Sequence, residues 1–273
     1  MGKFDNIIII SDVDGTFLGK GSRIVPKNVE AIKYFNQNGG RFTFISGRNP
    51  VEFISMISQL TELVNLPVGC CNGIYLYDFF SERALTDITL DGNSLYSVLK
   101  DYCDNPDRTI EIFGVHASDF YGFNENDLKF VSQYPERCHI ISAEDLKTTP
   151  LNKISIIGKK EEIFDIRDNI IQKYPESFYS LHSLPYAVEF IKKGTSKACT
   201  VEKIRELTSD KNVKIFAIGD YQNDTEMLSA ADFSASPSNA LPEISAITDI
   251  HVCDHDEGAI ADLIRIIEEK YIG

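Results

Sequence analysis

Four consecutive isoleucines, Ile7 to Ile10, run directly into Ser11-Asp12-Val13-Asp14-Gly15-Thr16, and no other stretch limits the fold of this chain so strongly. A short, wholly apolar, β-branched run reads as a strand buried on both faces, the kind that lies inside a parallel sheet covered by helices. Its end is acidic. On a strand, residues two apart share a face, so Asp12 and Asp14 are expected to bring two carboxyl groups to one place, with Gly15 allowing an abrupt turn after them. Open α/β sheets carry their sites at that edge. Two adjacent carboxylates repel unless a cation or a shared proton relieves them, and Mg2+ is the usual partner of oxygen ligands. A strand that merely stops in a polar Asp-Gly turn gives the same letters, so the remaining sequence has to decide.

The 273 residues suffice for two domains, each with its own core. A net charge of −14 excludes general electrostatic attraction to nucleic acid or to an anionic membrane, so an anionic substrate needs locally placed cations. The six cysteines (Cys70, Cys71, Cys103, Cys138, Cys199 and Cys253) show no paired metal-ligand spacing and read as reduced thiols. No secretory core follows the first residues and no apolar run approaches the ~18 residues of a membrane span. A cytoplasmic location is expected.

After the first strand, Lys20 to Pro26 reads as a polar loop, and Val29, Ile32 and Phe35 recur at helical spacing until Asn38-Gly39-Gly40. Arg41 to Ile45 is a second strand, so the unit is β-α-β with parallel strands. It ends in Ser46-Gly47-Arg48, followed by Asn49 and Pro50 as a helix start, where anions are favoured. Pro67 to Cys71 is a third strand running into Asn72-Gly73, and Ile74 to Tyr77 reads as its hairpin return. From residue 83 to 184 the pattern becomes that of an inserted α+β domain. Its strands are expected at Thr109 to Phe113, Asn152 to Ile157 and Ser177 to Leu181, its helices near Gly92 to Tyr102, Glu125 to Gln133 and Glu161 to Lys173.

Tyr186 to Ile191 is read as a return to the first domain, which comprises residues 1–82 and 185–273. Lys197 then opens a helix, where a cation opposes the macrodipole unless an anion lies close by. Val213 to Ile218 is a further buried strand, and it ends in Gly219-Asp220-Tyr221-Gln222-Asn223-Asp224, a second acidic strand end. Short strands near Phe233 and at Ile250 to Cys253, and a helix with Ile260, Leu263, Ile264 and Ile267 on one face, complete a doubly wound α/β sheet.

These segments together resemble the haloacid dehalogenase-like hydrolase superfamily, in its Cof-type branch with a type IIB cap. The four motifs of that family match in order: Asp12-Val13-Asp14-Gly15-Thr16, Ser46 in Ile-Ser-Gly-Arg, Lys197 in Lys-Gly-Thr-Ser-Lys, and Gly219-Asp220 with Asn223-Asp224. Asn72-Gly73 matches the Asn-Gly after the third strand of the branch. The resemblance implies a Rossmann-like core with an inserted α+β cap over residues 83–184 that selects substrate, and a Mg2+-dependent phosphatase working through an aspartyl-phosphate. On that pattern Asp12 is the nucleophile and Asp14 the general acid and base. Asp12, the Asp14 carbonyl and Asp220 hold Mg2+, supported by Thr16 and Asp224. Ser46, Gly47, Lys197 and Asn223 bind the phosphoryl group, and Arg48, Asn72 and Gly73 are candidates for substrate contact.

An acid two residues after the nucleophile suits an alkoxide leaving group, which needs a proton, and not a halide. The expected partner is a small phosphorylated metabolite, with no nucleic acid and no membrane, acting on a monomer or homodimer. Sugar phosphates come first, then cofactor phosphates such as pyridoxal phosphate or flavin mononucleotide. A phosphomutase, or a non-catalytic phospho-ligand sensor, stays open. In the cap, His116, Tyr121, Asn124 and His182 are the candidates for choosing the substrate.

Overall fold

A computed structural model of the chain describes residues 2–50, 53, 60–90, 96, 108–113, 118–121, 138–142, 145, 148, 152–184, 186–208 and 212–272. The helices expected near Gly92 to Tyr102, Glu125 to Gln133 and after Pro50 lie largely outside the described residues. So do His116 and Asn124, and the side chains of Tyr121 and His182. The chain divides into two compact units, one of Met1–Arg48, Phe53–Thr86 and Ser196–Gly273, the other of Asn49–Glu52 and Asp87–Thr195.

The first unit begins with β1 (Ile7–Ser11), buried along its whole length as its four isoleucines require. Lys20 to Pro26, expected as a plain loop, contains β3 (Arg23–Ile24), which pairs antiparallel with β2 (Leu18–Gly19) just before it in a small ribbon. Helix α1 (Pro26–Gln37) buries Asn28, Ile32 and Phe35 and leads to β4 (Arg41–Phe44), which lies parallel to β1. Next come β5 (Val68–Cys70), a tight turn at Cys71–Gly73, β6 (Tyr75–Asp78) and β7 (Arg83–Asp87), a sheet of three in that order with β5 and β6 antiparallel. A parallel bridge from Ile45 to Gly69 ties β5 to the end of β4.

In the second unit, β8 (Thr109–Phe113), β9 (Ser118–Tyr121), β10 (Cys138–Ile140), β11 (Lys153–Ile157), α2 (Lys160–Lys173), β12 (Phe178–Leu184) and β13 (Ala187–Lys192) follow in order. The sheet order is β10-β9-β8-β11-β13-β12. Ile163, Ile166 and Ile170 of α2 pack with Ile110, Ile112, Ile154, Ile156, Val188 and Phe190 in a core belonging to this unit alone. Two expected boundaries move. The segment from Tyr186, read as a return to the first domain, is β13, which pairs antiparallel with both β11 and β12, so the second unit runs to Thr195. At the other end β7 belongs with β6, and the first unit extends to Thr86 instead of residue 82.

The chain re-enters the first unit with α3 (Lys197–Thr208), β14 (Lys214–Ile218), α4 (Thr225–Ala230), β15 (Phe233–Pro237), α5 (Pro242–Ser245), β16 (Ile250–Val252) and α6 (Ala259–Lys270). The result is a Rossmann-like doubly wound core with strand order β16-β15-β14-β1-β4, every neighbouring pair parallel. Ile8 and Ile10 pack with Val201 and Ile204 of α3 and Met227 and Leu228 of α4. The alternate residues turn to the opposite face, the side of the α1 and α6 pair. Since later strands add on both sides of β1, the strand order reverses there, and ligand sites of open sheets lie beyond such a point.

Asn28 fastens the return of the chain. Its amide nitrogen donates to the Phe17 carbonyl at 3.0 Å, and its oxygen accepts from the N–H groups of Ile260 and Ala261, so a side chain on α1 caps the start of α6. All three bonds are buried or partly buried. Asn28→Ala is expected to cost about 2–4 kcal/mol, read from urea denaturation, because the orphaned groups keep their desolvation penalty. Asn28→Asp retains the two helix N–H bonds and should lose less. A shift below about 1 kcal/mol in the alanine variant would mean that water replaces the side chain.

Candidate active site

Asp12 and Asp220 converge because their strands are neighbours. Ser11 and Ile218, the last residues of β1 and β14, are register partners, and the Asp12 N–H donates to the Ile218 carbonyl at 2.9 Å. Both acids therefore leave the sheet at the same edge, although they are separated by some two hundred residues. Asp224, completing the turn Gln222–Asp224, joins them: oxygens of Asp12, Asp220 and Asp224 lie within 4.8 Å of one another.

Asp14 goes elsewhere. The strand stops at Ser11, and the chain folds back so that the N–H groups of Phe17 and Leu18 both donate to the Val13 carbonyl. The alternation of a strand no longer applies, and the expectation that both carboxyl groups of the Asp12, Asp14 pair meet at one spot is corrected. Asp12 is buried, whereas the Asp14 side chain is half exposed and is gripped by Arg48 through Nε at 3.0 Å and Nη2 at 2.9 Å. Arg48, a candidate for substrate contact, is thus an Asp14 partner in this structure.

Lys197 lies at the centre of the acidic group and is only 1% exposed. Its Nζ donates to Asp12 Oδ1 at 2.5 Å and to Asp224 Oδ1 at 2.6 Å. Burial works against the charged ammonium, but the two carboxylates outweigh it, and the Lys197 pKa is raised above the ordinary lysine value. An ammonium has three donors, so one remains for a further oxygen. Burial also pushes the Asp12 carboxyl well up, with Lys197 opposing and Asp224 and Asp220 adding to the rise. Asp220 is pushed up to about 6, mainly by burial, against a hydrogen bond from Thr16 Oγ1 at 2.6 Å. Three carboxylates and one ammonium leave negative charge in a poorly solvated place. A cation taking oxygen ligands fits this donor set.

The neighbouring loops hold the other candidates. Asp224 Oδ2 accepts from the N–H groups of Asp220 and Tyr221 at 2.9 and 3.0 Å, fixing the loop that carries Asp220. Gly15 has φ +83°, and a Cβ there would overlap the Asp220 carboxylate, so a larger residue could not make this turn. Ser46 is buried, its Oγ accepts from the Arg48 N–H, and its carbonyl accepts from the Asn72 N–H. Its hydroxyl hydrogen has no acceptor among the described residues. Asn223 donates to Asn72 Oδ1 at 3.3 Å, and Gly47 packs beside the same Asn72 amide. Asn72 has φ 56°; Gly73, at φ +94°, lies against the Ser196 carbonyl, directly before Lys197. Ser46, Gly47, Asn72, Gly73, Asn223 and Lys197 are thereby linked.

Sequence reasoning missed the Arg48 grip on Asp14 and the part of Asn239, whose amide joins Gly15 to His255. A fork of cationic donors near an acid was readable in Arg48, but a single Asn in a turn carries no signal of its own.

Comparison with known proteins gives the family. The family model described as haloacid dehalogenase-like hydrolase matches residues 9–264. The chain belongs to that family. It is an enzyme of the hydrolase class, and the acidic edge of its core sheet is the candidate active site. Among curated relatives, the 5-amino-6-(5-phospho-D-ribitylamino)uracil phosphatase YitU of Bacillus subtilis is 24% identical, covering 94% of this chain and 96% of that one. The pyridoxal phosphate phosphatase YbhA of Escherichia coli is 23% identical, covering 94% and 97%. Among solved structures, a sugar phosphatase of subclass IIB superposes with a TM-score of 0.77 at 18% identity, over 97% of this chain and 99% of that one, which shows the shared fold. No helix among the described residues is long and apolar enough to cross a membrane.

Proposed function

We propose that this family member is a Mg2+-dependent phosphatase that hydrolyses small phosphate monoesters through an aspartyl-phosphate on Asp12. The observation that carries the proposal is Lys197, a buried ammonium locked between Asp12 and Asp224 with one donor to spare, beside a carboxylate cluster suited to a hard cation. Asp12, the Asp14 carbonyl and Asp220 would hold Mg2+, with Asp224 and Thr16 behind them. When bound, the ion would neutralise phosphoryl charge.

The residues then divide the work. An Asp12 carboxylate oxygen forms a bond to phosphorus while the bond from phosphorus to the alkoxide oxygen breaks, and Asp14 delivers its proton to that alkoxide. Both Asp14 oxygens accept from Arg48 in this structure, so Arg48 must turn aside before the proton is handed over. In the second half, Asp14 takes a proton from water, the water oxygen bonds to phosphorus, and the bond to Asp12 breaks, releasing inorganic phosphate. Lys197 and the Ser46 hydroxyl would donate to phosphoryl oxygens throughout, with Gly47 and Asn223 shaping the same pocket.

Sugar phosphates are the first substrate class of this reading. Cofactor phosphates are the second, supported by the name of the Escherichia coli relative, a pyridoxal phosphate phosphatase. The second unit, with its own core, is assigned the choice among them. Release of phosphate from p-nitrophenyl phosphate should require added Mg2+ and stop with EDTA, after which a panel of about a hundred phosphate esters ranks the substrates. Phosphate bound but never released, at any metal concentration, would favour a sensor. Transfer to a second sugar in place of water would favour a mutase.

A further inference from the structure

Asn239 lies in the loop after β15, outside every motif described above, yet it bridges two of the segments that surround the acids. Its Nδ2 donates to the Gly15 carbonyl at 2.8 Å and its Oδ1 accepts from the His255 N–H at 3.0 Å. Two residues on, the Leu241 N–H donates to the Asp220 carbonyl at 3.0 Å. The short loop from Pro237 to Leu241, closed by a hydrogen bond from the Ala240 N–H to the Pro237 carbonyl, therefore grips the turn after Asp14 with one hand and the Asp220 loop with the other. Thr16 crosses directly between the same two segments, from its hydroxyl to Asp220 Oδ1.

We infer that Asn239 is a positioning residue for the cation site, setting where the Asp14 main chain and Asp220 lie relative to each other. The inference rests on the metal reading proposed above. Its physical basis is the peptide that Asn239 holds. The Gly15 carbonyl is one peptide on from the Asp14 carbonyl, so holding it fixes one side of the two soft dihedrals, φ and ψ of Gly15, through which the Asp14 peptide can turn. Gly15 itself offers no resistance to that rotation, because a residue without Cβ at positive φ is the loosest link in the turn. An amide whose nitrogen and oxygen are both committed supplies the stiffness that the glycine lacks. The other end of the amide is anchored in turn: His255 Nδ1 meets the Leu18 carbonyl at 2.7 Å, and Asp256 accepts from the Lys20 N–H at 2.8 Å. Removing outer partners of metal ligands costs about 10–100-fold in metal affinity, and the exposed position of Asn239 places it at the low end.

The test needs no turnover. Metal-free parent protein, Asn239→Ala and Asn239→Gln are titrated with Mg2+, and with Mn2+ as a second probe, by calorimetry without substrate. Their melting temperatures are taken in EDTA. The expected result is a metal affinity about tenfold weaker in Asn239→Ala, with the EDTA melting temperature close to that of the parent and partial recovery in Asn239→Gln, which keeps both amide functions on a longer stem. Equal metal affinity in parent and Asn239→Ala would overturn the inference and leave Asn239 as a turn residue. So would a loss of affinity that matches a general loss of stability in EDTA. A parent protein that binds neither ion would be a different failure, that of the cation site itself, and this inference would fall with it.

Discussion

Asp12→Asn is expected to abolish turnover by at least about a thousandfold while leaving the chain folded, because the amide has the shape of the carboxylate but no oxyanion with which to attack phosphorus. Structure and electrostatics agree on the second half of that expectation. Asp12 is buried beside Asp220 and Asp224, and its ionised form is held against burial largely by Lys197. Replacing one of three crowded carboxylates by a neutral amide relieves repulsion, while its oxygen can still accept from Lys197, which keeps Asp224 as its ionic partner. Thermal stability in the absence of metal should therefore be equal or higher in the variant. Acid-quenched parent enzyme should carry phosphate on Asp12, and the variant none. Phosphate release by the variant above about a thousandth of the parent rate would argue against covalent catalysis at this position.

Lys197→Ala should slow turnover by about two orders of magnitude, equivalent to on the order of 3 kcal/mol of transition-state stabilisation, comparable to the loss of one preorganised donor. The side chain is not a solvated surface lysine. Its ammonium is enclosed and shared between two carboxylates, so alanine also leaves Asp12 and Asp224 facing each other without their common partner. Breaking a buried pair in this way costs about 3–5 kcal/mol, softened here because the acids can take up protons. Lower activity then has two sources, lost fold and lost chemistry. The double variant Lys197→Met with Asp224→Asn separates the two, since it removes the stranded charge and should regain stability while staying slow. Arginine keeps the charge in a larger, forked shape and should rescue only in part. Lys192→Ala and Lys193→Ala serve as controls: both are exposed, and the Lys193 contact with Glu176 is a surface pair worth little. Normal kinetics in Lys197→Ala at saturating Mg2+ would remove this lysine from the reaction.

The core of this protein was legible in the sequence wherever a local pattern and its global place agree. Ile7 to Ile10 could only be a fully buried strand, and the amphipathic spacing of Ile260, Leu263, Ile264 and Ile267 could only be a helix lying on the sheet. Asp12 and Asp220 were readable as neighbours because both follow apolar strands, and parallel strands end at one edge. Lys197 was readable as an unfavourable cation at a helix start that needed an anion.

Only the tertiary structure decided the rest, and each case involves a choice that local chemistry leaves free. An apolar strand such as Ala187–Lys192 suits either of two sheets equally, and its antiparallel partners on both sides, β11 and β12, drew it into the second. Period-two alternation predicted Asp14 beside Asp12, but the strand ended one residue before Asp12, and the side chain turned to Arg48. Asn28 and Asn239 look like ordinary turn and helix residues in the sequence. Each joins a backbone group nearby in sequence, Phe17 or His255, to one more than two hundred residues away, Ile260 or Gly15, which one short side chain can do only once the fold has brought both within about 3 Å.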